Sequence, residues 1–435
     1  MIRREERKGR CVVEDININE ASSKDLLAYF QEKCDEEARQ AHKNGKLVCW
    51  SAALAPPEFF EAMDIAVCYP ETHSAGCGAK KCSMDLLEVA DQKGYNIDIC
   101  SYVRNNAGFM ELLRQERETG VTPEKLAVSK AAKIPLPDMV FAVNNICNTI
   151  LKWYENFAKQ LNIPFICLDM PFNYTMPMSR HNKEYIVGQF EAVIHQLEEI
   201  CGRPFDYDKF LEAQRQTQRS VYQWNRVASF ASKVPSPLNG FDLFNYMAMI
   251  VMARTKPYAE ITLKKFADEL EEKNKNGQYA FGAAENEKNR ITWEGIAVWP
   301  YLGGTFKGLK GQGMLMTGSA YPGMWDFKYT PGDLMSMAES YSKVYLNCGG
   351  AQRYEDFYKV VSSSKSDGIL LHLNRSCKIM ALLNQEGAEY VNQKMGVPFV
   401  SFDGDQTDPR VFSQAQFDTR TQALNEMMNR KKEQA

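Results

Sequence analysis

The chain has 435 residues, 44% hydrophobic and 25% charged, enough apolar material for two or three packed cores. Its 52 Lys and Arg nearly cancel its 55 Asp and Glu, and a formal charge of -3 excludes the strong basic field of a nucleic-acid or anionic-membrane binder. The start, MIRREERKGR, leads into no apolar stretch, and no run of about 18 uninterrupted apolar residues follows, so a cytoplasmic protein without leader or membrane span is expected.

Residues 1–43 read as a loose N-terminal arm followed by an amphipathic helix over 21–43, opened by Ser22 or Ser23 as N-cap. Over 44–181, short apolar runs rich in β-branched residues (47–50, 65–68, 139–143, 164–168) alternate with helical segments, the pattern of a parallel sheet. Residues 182–290 carry long helical periods broken by the loop PSPLNG at 235–240. Strand-like runs return at 295–299, 343–346, 368–373 and 397–402, which makes 291–435 a second α/β domain, closed by a terminal helix over 413–434. The organisation expected is α/β, two flavodoxin-like parallel-sheet domains with a helical insert.

Twelve Cys are too sparse for a disulfide scaffold and should be thiols in a reducing compartment. Cys49, Cys68 and Cys167 sit inside apolar runs and read as packing residues. Cys100 (DICSY), Cys147 (NNICN) and Cys377 (NRSCK) sit instead in polar, turn-forming contexts near strand ends, where ligands collect in open parallel sheets. Arg375 and Lys378 flank Cys377, and positive neighbours with backbone N–H donors favour a thiolate able to bind iron or zinc. Three such Cys would leave one metal position without protein sulfur, as an open catalytic site needs. On spacing alone, buried structural thiols are the commoner reading.

The CxxxxC pair Cys77 and Cys82 is a local competitor for a metal, though two thiols at a glycine turn are more often only thiols. The five His (His42, His73, His181, His195, His372) form no HxxxH or HExxH pair. The acidic run DGDQTD at 403–408 lacks the terminal Glu of a calcium loop and reads as a polar strand-to-helix loop. The glycines at 303–304 and 311–313 match no phosphate loop.

The stretches LVCWSA (47–52), YPETHSAG (69–76), NNICNT (144–149), KWYEN (152–156), NGFDLFN (239–245), NRSCK (374–378) and FDGDQTDPR (402–410) together resemble the 2-hydroxyacyl-CoA dehydratase and benzoyl-CoA reductase superfamily, from about residue 24 to the C-terminus. The further stretches WSAALAPPE (50–58), QRSVY (218–222) and WEGIAVWP (293–300) resemble its larger, substrate-binding subunits and favour (R)-lactoyl-CoA as substrate over 2-hydroxyglutaryl or aryllactoyl thioesters. The resemblance implies a [4Fe-4S] cluster on Cys100, Cys147 and Cys377, and the spacer 104–137 after the first of these is longer than in some relatives. It also implies a smaller partner subunit with its own cluster, an ATP-dependent iron–sulfur activator and, as a further cofactor found in the family, a flavin (FMN or riboflavin). A benzoyl-CoA-type reductase subunit and a non-catalytic, metal-stabilised scaffold subunit are the competing functions.

In the dehydration, the proton lost is β to a thioester and only weakly acidic, while hydroxide leaves from the α carbon; ordinary acid–base catalysis fits this poorly. The family's solution is one-electron activation, with an open iron as Lewis acid toward a substrate oxygen. Glu71, just after a strand, is expected as general acid/base or partner of the leaving hydroxyl, against a plain role in helix capping or a salt bridge. His73 is a second proton donor, against a merely hydrogen-bonded imidazole. Ser51 would hydrogen-bond substrate from its strand end, although relatives often carry a second serine where Ala53 stands here. Asn145, Asn148 and Asn374 would orient substrate or ligands, against the Asx-turns that Asn commonly forms. The CoA phosphates would meet scattered Lys and Arg.

Overall fold

A computed structural model describes residues 16–131 and 133–434. The arm expected at the N-terminus, with Cys11, falls almost entirely outside the described residues. The first helix, Ser23–Gln40, begins as expected: the Ser22 side chain accepts a hydrogen bond from the Asp25 N–H, satisfying one of the free donors of the first turn. Leu26, Leu27 and Phe30 form its buried face.

Strands β1 (Val48–Ser51), β2 (Ala66–Cys68), β3 (Met139–Val143) and β4 (Phe165–Leu168) form one all-parallel sheet, and β5 (Asn289–Glu294), β6 (Met314–Gly318), β7 (Gly368–Asn374) and β8 (Phe399–Gly404) form a second. The orders β2-β1-β3-β4 and β6-β5-β7-β8 are the same plan, the 2-1-3-4 core of a flavodoxin-like sheet. β1 and β3 are buried at every position, as strands covered by helices on both faces must be. Between the sheets in sequence lie the long helices Arg180–Cys201, Tyr207–Ser229, Gly240–Met252 and Pro257–Lys275, with the break at 235–240 where the Pro and Gly residues placed it. No helix among the described residues is long and apolar enough to cross a membrane.

Two strand expectations in the second half are corrected. The run at 295–299 is not a strand: β5 ends at Glu294, and Gly295 at φ +111° turns the chain out of the sheet into a loop. β5 itself, NRITWE, was hidden by its polar residues, which are buried because each has partners. Asn289 donates to Asn425 and Asn429, Arg290 to the Ser364 carbonyl, and Thr292 meets Ser366. The run at 343–346 is a turn after the helix Leu334–Ser342, where Val344 and Leu346 are buried without extended pairing. The second strand of this sheet is the Met-rich segment 314–318, whose composition carries little β signal.

Candidate active site

The carboxyl ends of strands from both sheets converge on one cavity of about 240 Å³. Its wall includes Cys100, Cys147 and Cys377, brought from three loops far apart in sequence. Each thiol stands immediately before a helix: Cys100 before Ser101–Thr119, Cys147 before Asn148–Leu161 and Cys377 before the short Lys378–Ala381. Free N–H groups at such starts favour negative charge on the sulfur. The backbone N–H groups of Tyr102 and Val103 beside Cys100, of Thr149 and Ile150 beside Cys147 and of Met380 beside Cys377 favour the charged thiolate. Gln406 Nε2 adds a donor to Cys100 Sγ at 3.2 Å.

Burial and then the neighbouring thiols push Cys100 well above its ordinary range and Cys377 up to about 12, and burial also raises Cys147 against its amide donors. Without a metal all three are therefore neutral thiols. Among the described residues no group of three or more His, Cys, Asp or Glu closes around a single ion. One tetrahedral ion would draw its sulfurs to about 3.8 Å from one another.

Glu71 shares this cavity. Its Oε1 accepts from the Ala53 N–H at 3.0 Å and its Oε2 from the Tyr154 hydroxyl at 2.8 Å. Burial raises its pKa while these two bonds oppose the shift, so a carboxyl that holds a proton more readily than an exposed one faces the thiols. Ser51 does not line the cavity: it is fully enclosed in β1, with its hydroxyl 3.3 Å from the Ala52 carbonyl. His73 packs against the helix Ser101–Thr119, its ring centroid 4.2 Å from that of Phe109, with Nδ1 3.9 Å from Cys77 Sγ on its own helix.

Asn374 accepts the Cys377 N–H at 3.2 Å, a local turn that sets the cysteine loop. Asn145 donates to the Tyr341 carbonyl at 2.7 Å, and Asn148 is exposed. Cys77 and Cys82 are buried outside the cavity wall, with Cys82 Sγ donating to the Cys77 carbonyl at 3.5 Å.

Several groups at the site carried no sequence signal. The turns of Cys100 and Cys377 are locked together across the two sheets. Ser101 N–H donates to Ser376 Oγ at 3.1 Å, Thr407 Oγ1 donates to Ser101 Oγ at 2.8 Å, and Ser376 Oγ donates to Asp405. Behind them the fully buried Arg104 pairs with Asp408 at 3.0 Å and Asp91 at 2.5 Å. The run 402–410 is thus a brace for two cysteine loops, a role visible only once both sheets are in place. Trp299, Tyr102 and Tyr321 add a polar-edged aromatic wall.

The family model for the D-component of 2-hydroxyglutaryl-CoA dehydratase matches residues 52–428. The chain is 59% identical to the lactoyl-CoA dehydratase alpha subunit of Anaerotignum propionicum over 408 residues, covering 93% of this chain and 96% of that one. It is 40% identical to the (R)-2-hydroxyisocaproyl-CoA dehydratase alpha subunit of Clostridioides difficile, over 91% and 93% of the two chains. With a benzoyl-CoA reductase subunit of Thauera aromatica it shares 24% identity over 86% and 87%. With the family model matched from the end of β1 through the other seven strands and across all three cysteine loops, the chain belongs to the 2-hydroxyglutaryl-CoA dehydratase D-component family.

Proposed function

We propose that this chain is the substrate-binding subunit of a [4Fe-4S] 2-hydroxyacyl-CoA dehydratase that interconverts (R)-lactoyl-CoA and acryloyl-CoA after one-electron activation by an ATP-dependent iron–sulfur activator. The observation that carries the reading is the meeting of Cys100, Cys147 and Cys377 on one cavity, opposite Glu71, in a chain 59% identical to a lactoyl-CoA dehydratase alpha subunit. The donor set fits the group: three sulfurs, each under helix-start amides, with thiol pKa values that only coordination would bring down. When bound on these thiolates, the cluster supplies an iron with an open position, a Lewis acid for a substrate oxygen.

The protein's own groups do the rest. The apolar wall, with Leu54, Met247, Val251, Met324 and Trp325, excludes water and takes a short acyl chain. Trp325 Nε1 donates to the Ala53 carbonyl at 3.2 Å, which fixes a large ring beside the carboxyl. Glu71, held by Ala53 and Tyr154, is placed to give a proton to the departing α-hydroxyl or take one from the β carbon. The relatives matched are named as alpha subunits, in keeping with a smaller partner subunit to relay the electron.

The test is iron, sulfide and EPR analysis of the co-expressed subunits under anaerobic conditions, with and without (R)-lactoyl-CoA, beside Cys147→Ala and Cys377→Ala. Loss of one cluster's iron in both variants and a substrate-perturbed signal in the parent are expected. Unchanged iron in both variants would remove the ligand assignment, and net electron consumption per turnover would replace the dehydratase with a reductase.

A further inference from the structure

Two arginines are buried behind the cysteine turns, and they are partnered differently. Arg104, on the helix that follows Cys100, is neutralised by Asp91 and Asp408. Arg353, on the helix Gly350–Ser363, is 3% exposed, yet its donors meet uncharged oxygens. One terminal nitrogen donates to the Ile379 carbonyl at 2.8 Å; the other donates to the Met380 carbonyl at 2.9 Å and to Asn384 Oδ1 at 3.0 Å. Among the described residues no carboxylate stands within ion-pair distance of this guanidinium, and its Nε is buried without a hydrogen-bond partner.

The guanidinium lies over the Tyr345 ring, 4.9 Å from its centroid, and the Tyr345 hydroxyl donates to the buried Glu294 at 2.9 Å. Glu294 does not act as the missing counter-ion. An ion pair would lower the pKa of its carboxyl, whereas burial prevails and raises it. A buried cation is costly to hold unless an anion is near. The cysteine turn is where one fits. Cys377 opens the short helix Lys378–Ala381, with its carbonyl bonded by the Ala381 N–H at 3.1 Å. Ile379 and Met380, whose carbonyls Arg353 holds, stand with Cys377 on the cavity wall. Arg375 and Lys378, the positive neighbours of Cys377 in sequence, are exposed, so water screens their charge.

We propose that Arg353 is a positioning residue that fixes the Cys377 turn and supplies the buried counter-charge for the centre held on Cys100, Cys147 and Cys377, making that centre easier to reduce. The assignment rests on the cluster reading above. An arriving electron adds negative charge to a site already lined with thiolates, and a cation fixed in the interior stabilises the reduced form. A guanidinium already set by two carbonyls needs no reorganisation when the electron arrives.

The experiment is an anaerobic EPR redox titration of the assembled subunits, with iron content, for the parent, Arg353→Gln and Arg353→Lys. The signal that disappears in Cys377→Ala marks this chain's centre. Arg353→Gln keeps a donor for the carbonyls and removes the charge. Its centre should be about tenfold harder to reduce, the order of effect of one buried charge at an effective dielectric of about 20, or about 59 mV lower for one electron. Arg353→Lys keeps the charge and should stay within about twofold of the parent. A glutamine variant without iron beside an iron-replete lysine variant would support the same reading. An unshifted glutamine variant, an equal shift in both, or loss of iron from both would make Arg353 a packing residue and overturn the assignment. Unchanged iron and signals in Cys377→Ala would sink the cluster reading itself, a separate result.

Discussion

The two halves of the molecule repeat one plan and then part over a single thiol. In each, the third strand of the sheet runs into an Asn-x-x-Cys loop whose cysteine precedes a helix: Asn144 to Cys147 after β3, and Asn374 to Cys377 after β7. In each, a further cysteine stands before an earlier helix on the way to that third strand. In the first half this is Cys100, which faces the cavity. In the second it is Cys348, just ahead of the helix Gly350–Ser363, and it is buried outside the cavity wall with Sγ donating to the Tyr345 carbonyl at 3.3 Å. The shared scaffold thus supplies four thiol positions, three of them on the cavity wall. In the proposed reading, the missing fourth sulfur is what leaves an iron open to substrate.

The comparison can be broken most severely at the matched loops. Cys147→Ala and Cys377→Ala should behave as equals, each losing one cluster's iron and falling to background activity; an iron-replete, active Cys147 variant beside an inactive Cys377 variant would end the equivalence. Next in size, Glu71→Gln should cut kcat by about 10²–10⁴, the range of a lost acid/base group, with the iron signal and circular dichroism kept.

The brace between the halves comes third. Arg104→Met removes one of the two guanidinium partners of the buried Asp408 carboxylate, leaving Arg410, and should cost about 1–3 kcal/mol in urea unfolding, as losing a hydrogen bond to a charged group does. Burial raises the Asp408 pKa, but bonds from Arg410 and Arg104 outweigh this and hold it below the usual carboxylate range. Its contribution is therefore present above the unfolded value, about pH 4, and lost as pH falls through the lower folded value. Asp408→Asn should flatten that acid limb of the stability profile. The smallest effect sharpens the contrast: Cys348→Ala should leave iron content and turnover within about twofold and cost about 1 kcal/mol in stability, the ordinary toll of a buried truncation.

The sequence made the thiols legible because their settings differ from those of Cys49 and Cys68. Polar, turn-forming neighbours mark loops; Cys147 and Cys377 do follow β3 and β7, whereas Cys100, expected near a strand end, lies between the helices Ser83–Gln92 and Ser101–Thr119. Glu71 was legible for the same reason. Ser51 was read from a strand-terminal position, which does not tell which way a side chain points, and it lies off the cavity wall. β5 escaped notice because its buried Arg290 and Asn289 are balanced by partners on segments far off in sequence, which no local pattern records. Gln406 was missed because its bond to Cys100 exists only where the two sheets meet.

The lock from Ser101 to Ser376 and from Arg104 to Asp408 bears on how the protein is made. A chain leaving the ribosome exposes Cys100 and Cys147 early, but their companion Cys377 and the 405–408 brace emerge near the end of translation. The first sheet is complete by Leu168, long before that, but its core is continuous with residues as late as Met428. In the proposed reading, the centre can be filled only after the second half is made: a chain that stops after the first sheet holds Cys100 and Cys147 but lacks Cys377 and the 405–408 brace.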